Sequence, residues 1–327
     1  MKHISLFLLL IAAGLSGHAQ SAKGLTGKRD TSYSTYSAYI NTKKDFPDIK
    51  IVTLSHPASV EAKMNIPYCK IQQRTLVLDA FSPRQKSSLP HPAVLIVHGG
   101  GWRSGDRSQH YPLAEKLASL GYACYTAEYR LSTEALYPAA VNDLKSALRW
   151  MHTNAKQENI DTNRIAILGF SAGGELAAFV GTTAAIARFE GSGCNLPASS
   201  QVKAIVDIDG TLAFVHPESG EGDDSRSTSA ATYWFGYSKN ERPGLWKDAA
   251  PLTHVGKNTP PILFINSSVD RMHAGRQDFI KVLDEHQIYS EIRTFPNAPH
   301  SFCLFEPWFE PTVSYIDNFL KKVLKIH

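Results

Sequence analysis

The chain alternates between short runs of continuous apolar residues and longer stretches in which apolar positions recur every three or four residues. Thr75–Phe81 (TLVLDAF) and Ala93–Val97 (AVLIV) read as strands, and the second is apolar throughout, as expected of a parallel strand covered on both faces. Leu113, Leu117 and Leu120 are spaced as on a helix, with Gly121 as its stop. The strand YACYTAEY follows, then Val141, Leu144, Leu148 and Met151, which step by three, four and three as an amphipathic helix does. RIAILGF predicts a further strand and AGGELAAFVG a further helix. Val202–Ile208 and Pro261–Ser267 are two more buried strands. A helix near Asp278–His286, a strand SEIRTF and a terminal helix with Val313, Ile316, Leu320 and Val323 on one face complete the pattern. Alternating strands and helices predict an α/β fold: an open, mostly parallel sheet with helices on both faces.

Two segments break the rhythm. Residues 20–65 are polar and weakly patterned and read as a leader outside the catalytic domain, which is assigned to 66–327. Residues 210–253 are rich in Gly, Ser, Asp and aromatics without clean periodicity, and read as a cap-like insertion after the sixth strand. At the N-terminus, Met1-Lys2-His3 precedes an apolar run from Ile4 to Leu15 and then Gly17-His18-Ala19. That is a charged n-region, an apolar h-region and a small-x-small cleavage site, with the run shorter than the roughly 20 residues of a membrane span. The expectation is a signal peptide over 1–19, cleavage near Ala19, and export to the periplasm or medium with no membrane anchor in the mature form.

Composition adds limits. Hydrophobic residues make up 43% and charged residues 20%, which is ordinary for a globular chain of 327 residues; 34 basic against 30 acidic side chains leave a net charge of +4. Without a basic run or Arg-rich stripe, nothing points to nucleic acid. The four cysteines form neither CxxC nor any metal-ligand spacing, so no metal and no cofactor is expected. Cys69 and Cys124 lie in strand-like runs and read as buried apolar residues. Cys194 and Cys303 lie in loops, and a bridge between them is one pairing that export would permit.

The chemistry concentrates at predicted strand ends. Gly169-Phe-Ser-Ala-Gly-Gly174 has the G-x-S-x-G spacing of a strand that turns sharply into a helix, leaving the serine oxygen exposed. Ser171 is the candidate nucleophile. His98-Gly-Gly-Gly-Trp102 follows the strand AVLIV; its glycines let backbone N–H groups approach an oxyanion, so Gly100, Gly101 and Ala172 are the candidate donors. His98 is assigned a bracing role in that loop. Beyond Ser171, His300 in FPNAPHSF is the candidate base, with His273 its competitor. Asp270, just past PILFINS, is the candidate acid, and Asp209 in DIDG is the alternative one strand earlier. Serine is a weak nucleophile until a base takes its proton, and an acid orients that base.

These motifs resemble the α/β-hydrolase superfamily, in the branch carrying H-G-G-G before the nucleophile. Tyr129–Leu131 (YRL) and Tyr137–Asp143 (YPAAVND) are similar to the linking segment of hormone-sensitive-lipase-like esterases. Phe170 replaces the acidic residue usual before the serine there. GFSAGG, HGGGW and PHSFCLFEPWFEP (residues 299–311) look more like exported bacterial carbohydrate esterases of the bifunctional acetylxylan/feruloyl and pectin acetylesterase kinds, with Cys303 standing where a tryptophan is expected. The resemblance covers roughly residues 66–327. It implies a serine ester hydrolase acting on acetyl or feruloyl groups of an acylated polysaccharide or oligosaccharide such as xylan or pectin. The alternatives are a small-molecule esterase or lipase, and an inactive hydrolase-like carbohydrate-binding module. Trp102, Trp234 and Trp308 are candidates for stacking on the substrate. The acidic run Glu218–Asp224 reads as a solvated loop.

Overall fold

The computed structural model describes residues 22–85, 89–184, 186–191 and 193–326. The proposed signal peptide lies outside the described residues. Along the chain come α1 (Thr35–Thr42), the two-residue strand β1 (Lys50–Ile51), and the hairpin β2 (Val60–Ile71) and β3 (Arg74–Pro83). Next are β4 (His91–Val97), α2 (Tyr111–Ser119), β5 (Ala123–Ala127), α3 (Ala139–Thr153), β6 (Ile160–Phe170), α4 (Ala172–Thr182) and β7 (Ala204–Ile208). The insertion holds α5 (Ala230–Phe235) and α6 (Pro243–Asp248). The remainder is β8 (Ile262–Asn266), α7 (Arg276–Glu285), β9 (Ser290–Thr294), the short β10 (Phe305–Glu306) and α8 (Phe309–Leu324).

Eight strands form one sheet in the order β2-β3-β5-β4-β6-β7-β8-β9. β2 with β3 and β3 with β5 pair antiparallel; every pair from β5 through β9 is parallel. The fold expectation therefore holds, and the insertion does follow the sixth strand of this sheet in chain order.

The apolar strand runs partition by pleat. Leu95, Val97, Ile165 and Ile167 face the core shared with α3, α4 and α7, whereas Val94, Ile96, Ala166 and Leu168 face the core shared with α2 and α8. A strand covered on both faces has no polar side to show, which is why AVLIV carries no alternation. At the end of α2, Gly121 adopts φ +104°, which a side chain would oppose, so the helix stops there as its sequence predicts.

The leader differs from expectation. Strand β2 begins at Val60, inside the segment assigned to it, and runs across residues 65 and 66. Ala38 of α1 and Ile49 are buried in the same core as α8, and β1 pairs antiparallel with β10 through Lys50–Glu306 and Ile51–Phe305. Arg103 donates to Asp30 at 2.9 Å, so residues 30–51 are stitched to the body rather than loosely attached. These contacts use single apolar residues and isolated charges, which leave no periodic trace in a sequence.

The cysteine expectation is corrected as well. Cys69 pairs with Cys194, their Cα atoms 5.4 Å apart; Cys124 and Cys303 are free thiols in the interior. Cys303 sits in the core beneath α8, far from Cys194 in the fold, while Cys69 on edge strand β2 faces the loop that carries Cys194. Among the described residues no helix is long and apolar enough to cross a membrane.

Candidate active site

Strand β6 ends at Phe170, and Ser171 follows with φ +57° and ψ −123°, a backbone conformation that costs a non-glycine residue of order 1–3 kcal/mol. The turn survives because its surroundings leave no room for another shape. A Cβ on Gly169 would overlap the carbonyl of Gly173, and one on Gly173 would overlap the carbonyl of Val97. Ser171 is anchored by its N–H to Ile208 O at 2.8 Å, and α4 begins at the next residue. The serine hydroxyl is thereby presented at the C-terminal end of the sheet, where ligands bind in open α/β folds.

His300 lies in the loop between β9 and β10. Ser268 fixes that loop, its N–H and hydroxyl both donating to Ala298 O, at 3.1 and 2.9 Å. The imidazole packs against the Phe170 ring, with centroids 4.9 Å apart. Its Nε2 is 2.8 Å from Ser171 Oγ and its Nδ1 is 3.0 Å from Asp209 Oδ2. The structure thus brings Ser171 and His300 together as expected and corrects the acid. Asp209, the alternative, partners His300; Asp270 does not.

The reason is lateral position in the sheet. Asp209 follows β7, the strand directly beside β6, whereas Asp270 lies one strand further out, on an exposed turn past β8. The end of β8 contributes donors instead: Ser267 N–H reaches Asp209 Oδ1 at 2.8 Å and the Asn266 amide reaches it at 3.4 Å. His273 stands on the same oxygen, 3.7 Å away. Burial would raise the Asp209 pKa, but the nearby His273 imidazole and the hydrogen bonds from His300 and Ser267 outweigh it and hold the value down at about 2. The carboxylate is therefore ionised throughout the working range. Like Ser171, it has a positive φ, +51°.

The glycine loop after β4 forms the opposite wall. His98 is buried, its Nδ1 2.9 Å from Gly99 O and its ring stacked on Tyr129 at 4.4 Å. Tyr129 donates to His98 O, and Gly99 donates to Gln109 at 2.8 Å. Burial lowers the His98 pKa to about 4, which keeps it neutral, in keeping with bracing rather than base chemistry. Gly101 and Ala172 line a cavity of about 250 Å³ together with Ser171 and His300. Gly100 is set one residue back; its carbonyl accepts from the Arg103 and Ser104 amides.

The three tryptophans fare differently. Trp102 reaches the cavity wall, but its ring is 3% exposed, stacked on Trp234 at 4.8 Å with planes 5° apart, and its Nε1 donates to Glu175 at 3.0 Å. Trp234 is fully buried among Phe214, Phe235 and Tyr137. Trp308 packs edge-on against Phe46 of the N-terminal segment. Trp234 and Trp308 are thus packing residues, outside the cavity: Trp234 joins the core shared with α3 and α4, and Trp308 packs on the core beneath α8. Sequence reasoning missed Glu175, Glu221 and Arg271. Glu221, from the run read as a solvated loop, lines the cavity, as does Arg271 beside the rejected acid. Larger clefts, of about 470, 450 and 370 Å³, lie elsewhere among the described residues and hold no such nucleophile and base.

A strained serine between strand and helix, a histidine within bonding reach and a buried acid on the neighbouring strand, set on a sheet covered on both faces, define an α/β-hydrolase fold. Solved structures share it. A carbohydrate esterase from gut microbiota, in truncated form, superposes with a TM-score of 0.66 at 23% identity, covering 83% of this chain and 100% of that one. Apo esterase 2 of Thermogutta terrifontis gives 0.67 at 23% identity, over 83% and 98%. The chain belongs to the BD-FAE family, whose profile matches residues 78–278, more than half its length. It is 29% identical over 265 residues to the esterase LipC of Mycobacterium tuberculosis, the match covering 76% of this chain and 62% of LipC. Ethyl acetate hydrolase of Pseudomonas putida is 25% identical over 224 residues, 67% of this chain and 69% of that protein.

Proposed function

We propose that the protein is an exported serine carboxylic ester hydrolase that removes short acyl groups, acetyl foremost, from plant cell-wall polysaccharides such as xylan or pectin. The carrying observation is the line Ser171–His300–Asp209, with 2.8 and 3.0 Å contacts, beside a cavity that Gly101 and Ala172 also line. In this reading Ser171 Oγ attacks the ester carbonyl carbon as His300 Nε2 takes its proton. The amides of Gly101 and Ala172, with Gly100 behind them, receive the oxyanion. The C–O bond to the alcohol then breaks, and His300 returns the proton to the leaving oxygen. Water, deprotonated by the same imidazole, hydrolyses the acyl-enzyme, and Ser171 recovers its hydrogen. Each lost oxyanion donor would cost about 3–4 kcal/mol of transition-state stabilisation.

The cavity's size supports an acetyl rather than a feruloyl acyl group. About 250 Å³ lies below the 300–1,000 Å³ common for sites that enclose drug-sized ligands. The carbohydrate esterase among the structural neighbours favours a sugar ester, and the Cys69–Cys194 bridge fits an oxidising compartment outside the cytoplasm. A second reading, a small-molecule esterase, is favoured by the likeness to ethyl acetate hydrolase. Acetate and ferulate release from acetylated xylan, acetylated pectin and feruloylated arabinoxylan, measured beside ethyl acetate, separates the readings. Ser171→Ala, folded by circular dichroism, should lose all of these activities; an active S171A protein would refute the mechanism.

A further inference from the structure

The cavity that holds Ser171 also carries an ion pair in its lining. Glu221 comes from the insertion and Arg271 from the turn after β8; Arg271 Nη1 stands 3.4 Å from Glu221 Oε1. The Glu221 side chain is only 16% exposed, whereas Arg271 is 54% exposed. Burying a carboxylate is expensive unless it is compensated, and burial does raise this one's pKa, opposed by Arg271, His300 and Lys239. A half-exposed ion pair returns too little stability to account for placing a carboxylate there. Cleavage of an alkyl ester requires neither charge, and an apolar wall would serve such a substrate better.

We propose that Glu221 and Arg271 are the alcohol-recognition pair of this site, binding two neighbouring hydroxyls of a sugar ester, one donating to the carboxylate and the other accepting from the guanidinium. A planar guanidinium offers five donors in fixed directions, and the Glu221 contact engages one edge of it. The carboxylate accepts only. Side by side they present one donor and one acceptor, the complement of a vicinal diol. Because both side chains line the same cavity as Ser171 and His300, a diol held there belongs to the alcohol whose ester is cut. The pair also screens itself: the positive and negative charges together give no net attraction to an anionic or cationic alcohol. This assignment rests on the ester-hydrolase reading and names the selectivity of that same site.

The test uses the full chain and two acetyl esters, a mono-acetylated methyl xyloside with a free neighbouring hydroxyl and p-nitrophenyl acetate. E221Q and R271M should each lower the ratio of kcat/KM for the sugar ester over the aryl ester at least tenfold, chiefly through KM. R271K, which keeps charge but not the fork, should fall between R271M and wild type. A ratio within twofold of wild type in both E221Q and R271M, with melting temperatures near wild type, overturns the pair. So does a loss in R271M confined to acetylated uronate esters, which would make the arginine a carboxylate clamp. Activity that survives S171A would sink the underlying ester-hydrolase reading instead, so the two failures are distinguishable.

Discussion

The indole Nε1 of Trp102 donates to Glu175 Oε2 across 3.0 Å, joining the glycine loop to the helix that begins just after the nucleophile. Trp102 holds a positive φ of +57°, so its backbone relies on neighbours to keep its shape. Glu175 is fully buried, and that burial, reinforced by nearby Asp207, drives its pKa well above the ordinary carboxylate range despite the indole's hydrogen bond. That burial favours its neutral form, with Oε2 accepting from the indole. Glu175→Gln preserves an acceptor of the same shape and should retain kcat within a few-fold. Glu175→Ala strands a buried N–H and should cost about 1–3 kcal/mol of stability together with a fall in kcat. Urea unfolding and steady-state kinetics on both variants check this; equal losses would mean that the contact does not hold the loop.

Asp209 and Asp270 predict opposite outcomes. Asp209→Asn should lower kcat by roughly 10³–10⁴, the scale for losing the group that orients a catalytic histidine. Asp270→Asn, on an exposed turn, should stay within about threefold of wild type. Parallel kcat measurements on the two proteins decide between the carboxylates.

The same residue should be visible in acid stability. The folded Asp209 pKa of about 2 lies below the ordinary 3.8, so its ionised form stabilises the fold fully above about pH 4, and that contribution is lost as pH falls towards 2. The shift corresponds to roughly 2 kcal/mol. The stability gap between wild type and D209N should therefore narrow by about that amount from pH 5 to pH 2, read from urea midpoints at each pH. A gap independent of pH would contradict the depressed value.

Thiol titration tests the cysteine pairing. Denatured but unreduced protein should show two reactive thiols, Cys124 and Cys303, rising to four after reduction. The bridge closes a separation of 125 residues, so Cys194→Ser should cost about 2–5 kcal/mol, whereas Cys303→Ser should leave the bridge intact. Two thiols that map instead to Cys69 and Cys124 would point to a Cys194–Cys303 bridge.

What the sequence disclosed depended on whether the signal was local. Strand β4, helix α3 and the apolar face of α8 follow from spacing alone, and the Ser171 turn follows from glycines that the backbone itself demands. Strand β2 was hidden because, at the sheet edge, VEAKMNIPYCKI shows water most of its side chains, including four consecutive exposed positions. The acid was ambiguous because Asp209 and Asp270 both follow strands, and only the lateral order of β6, β7 and β8 says which stands beside the serine. Trp234 misled because an aromatic-rich insertion reads the same whether its rings bind a ligand or pack on one another. Glu221 was invisible for a related reason: an acidic run does not announce which member turns inward.

The β1–β10 pairing carries a practical lesson about where this molecule can be cut. Strand β10 starts five residues after His300, and Val52 N–H reaches Leu304 O at 3.2 Å in the same seam. Residues 50–52 thus act as a splint on the downstream side of the imidazole's loop. A shortened protein that begins at residue 78, where the family match starts, would lose that splint, and the histidine's aim would then rest on the Ser268 clasp and the Phe170 ring.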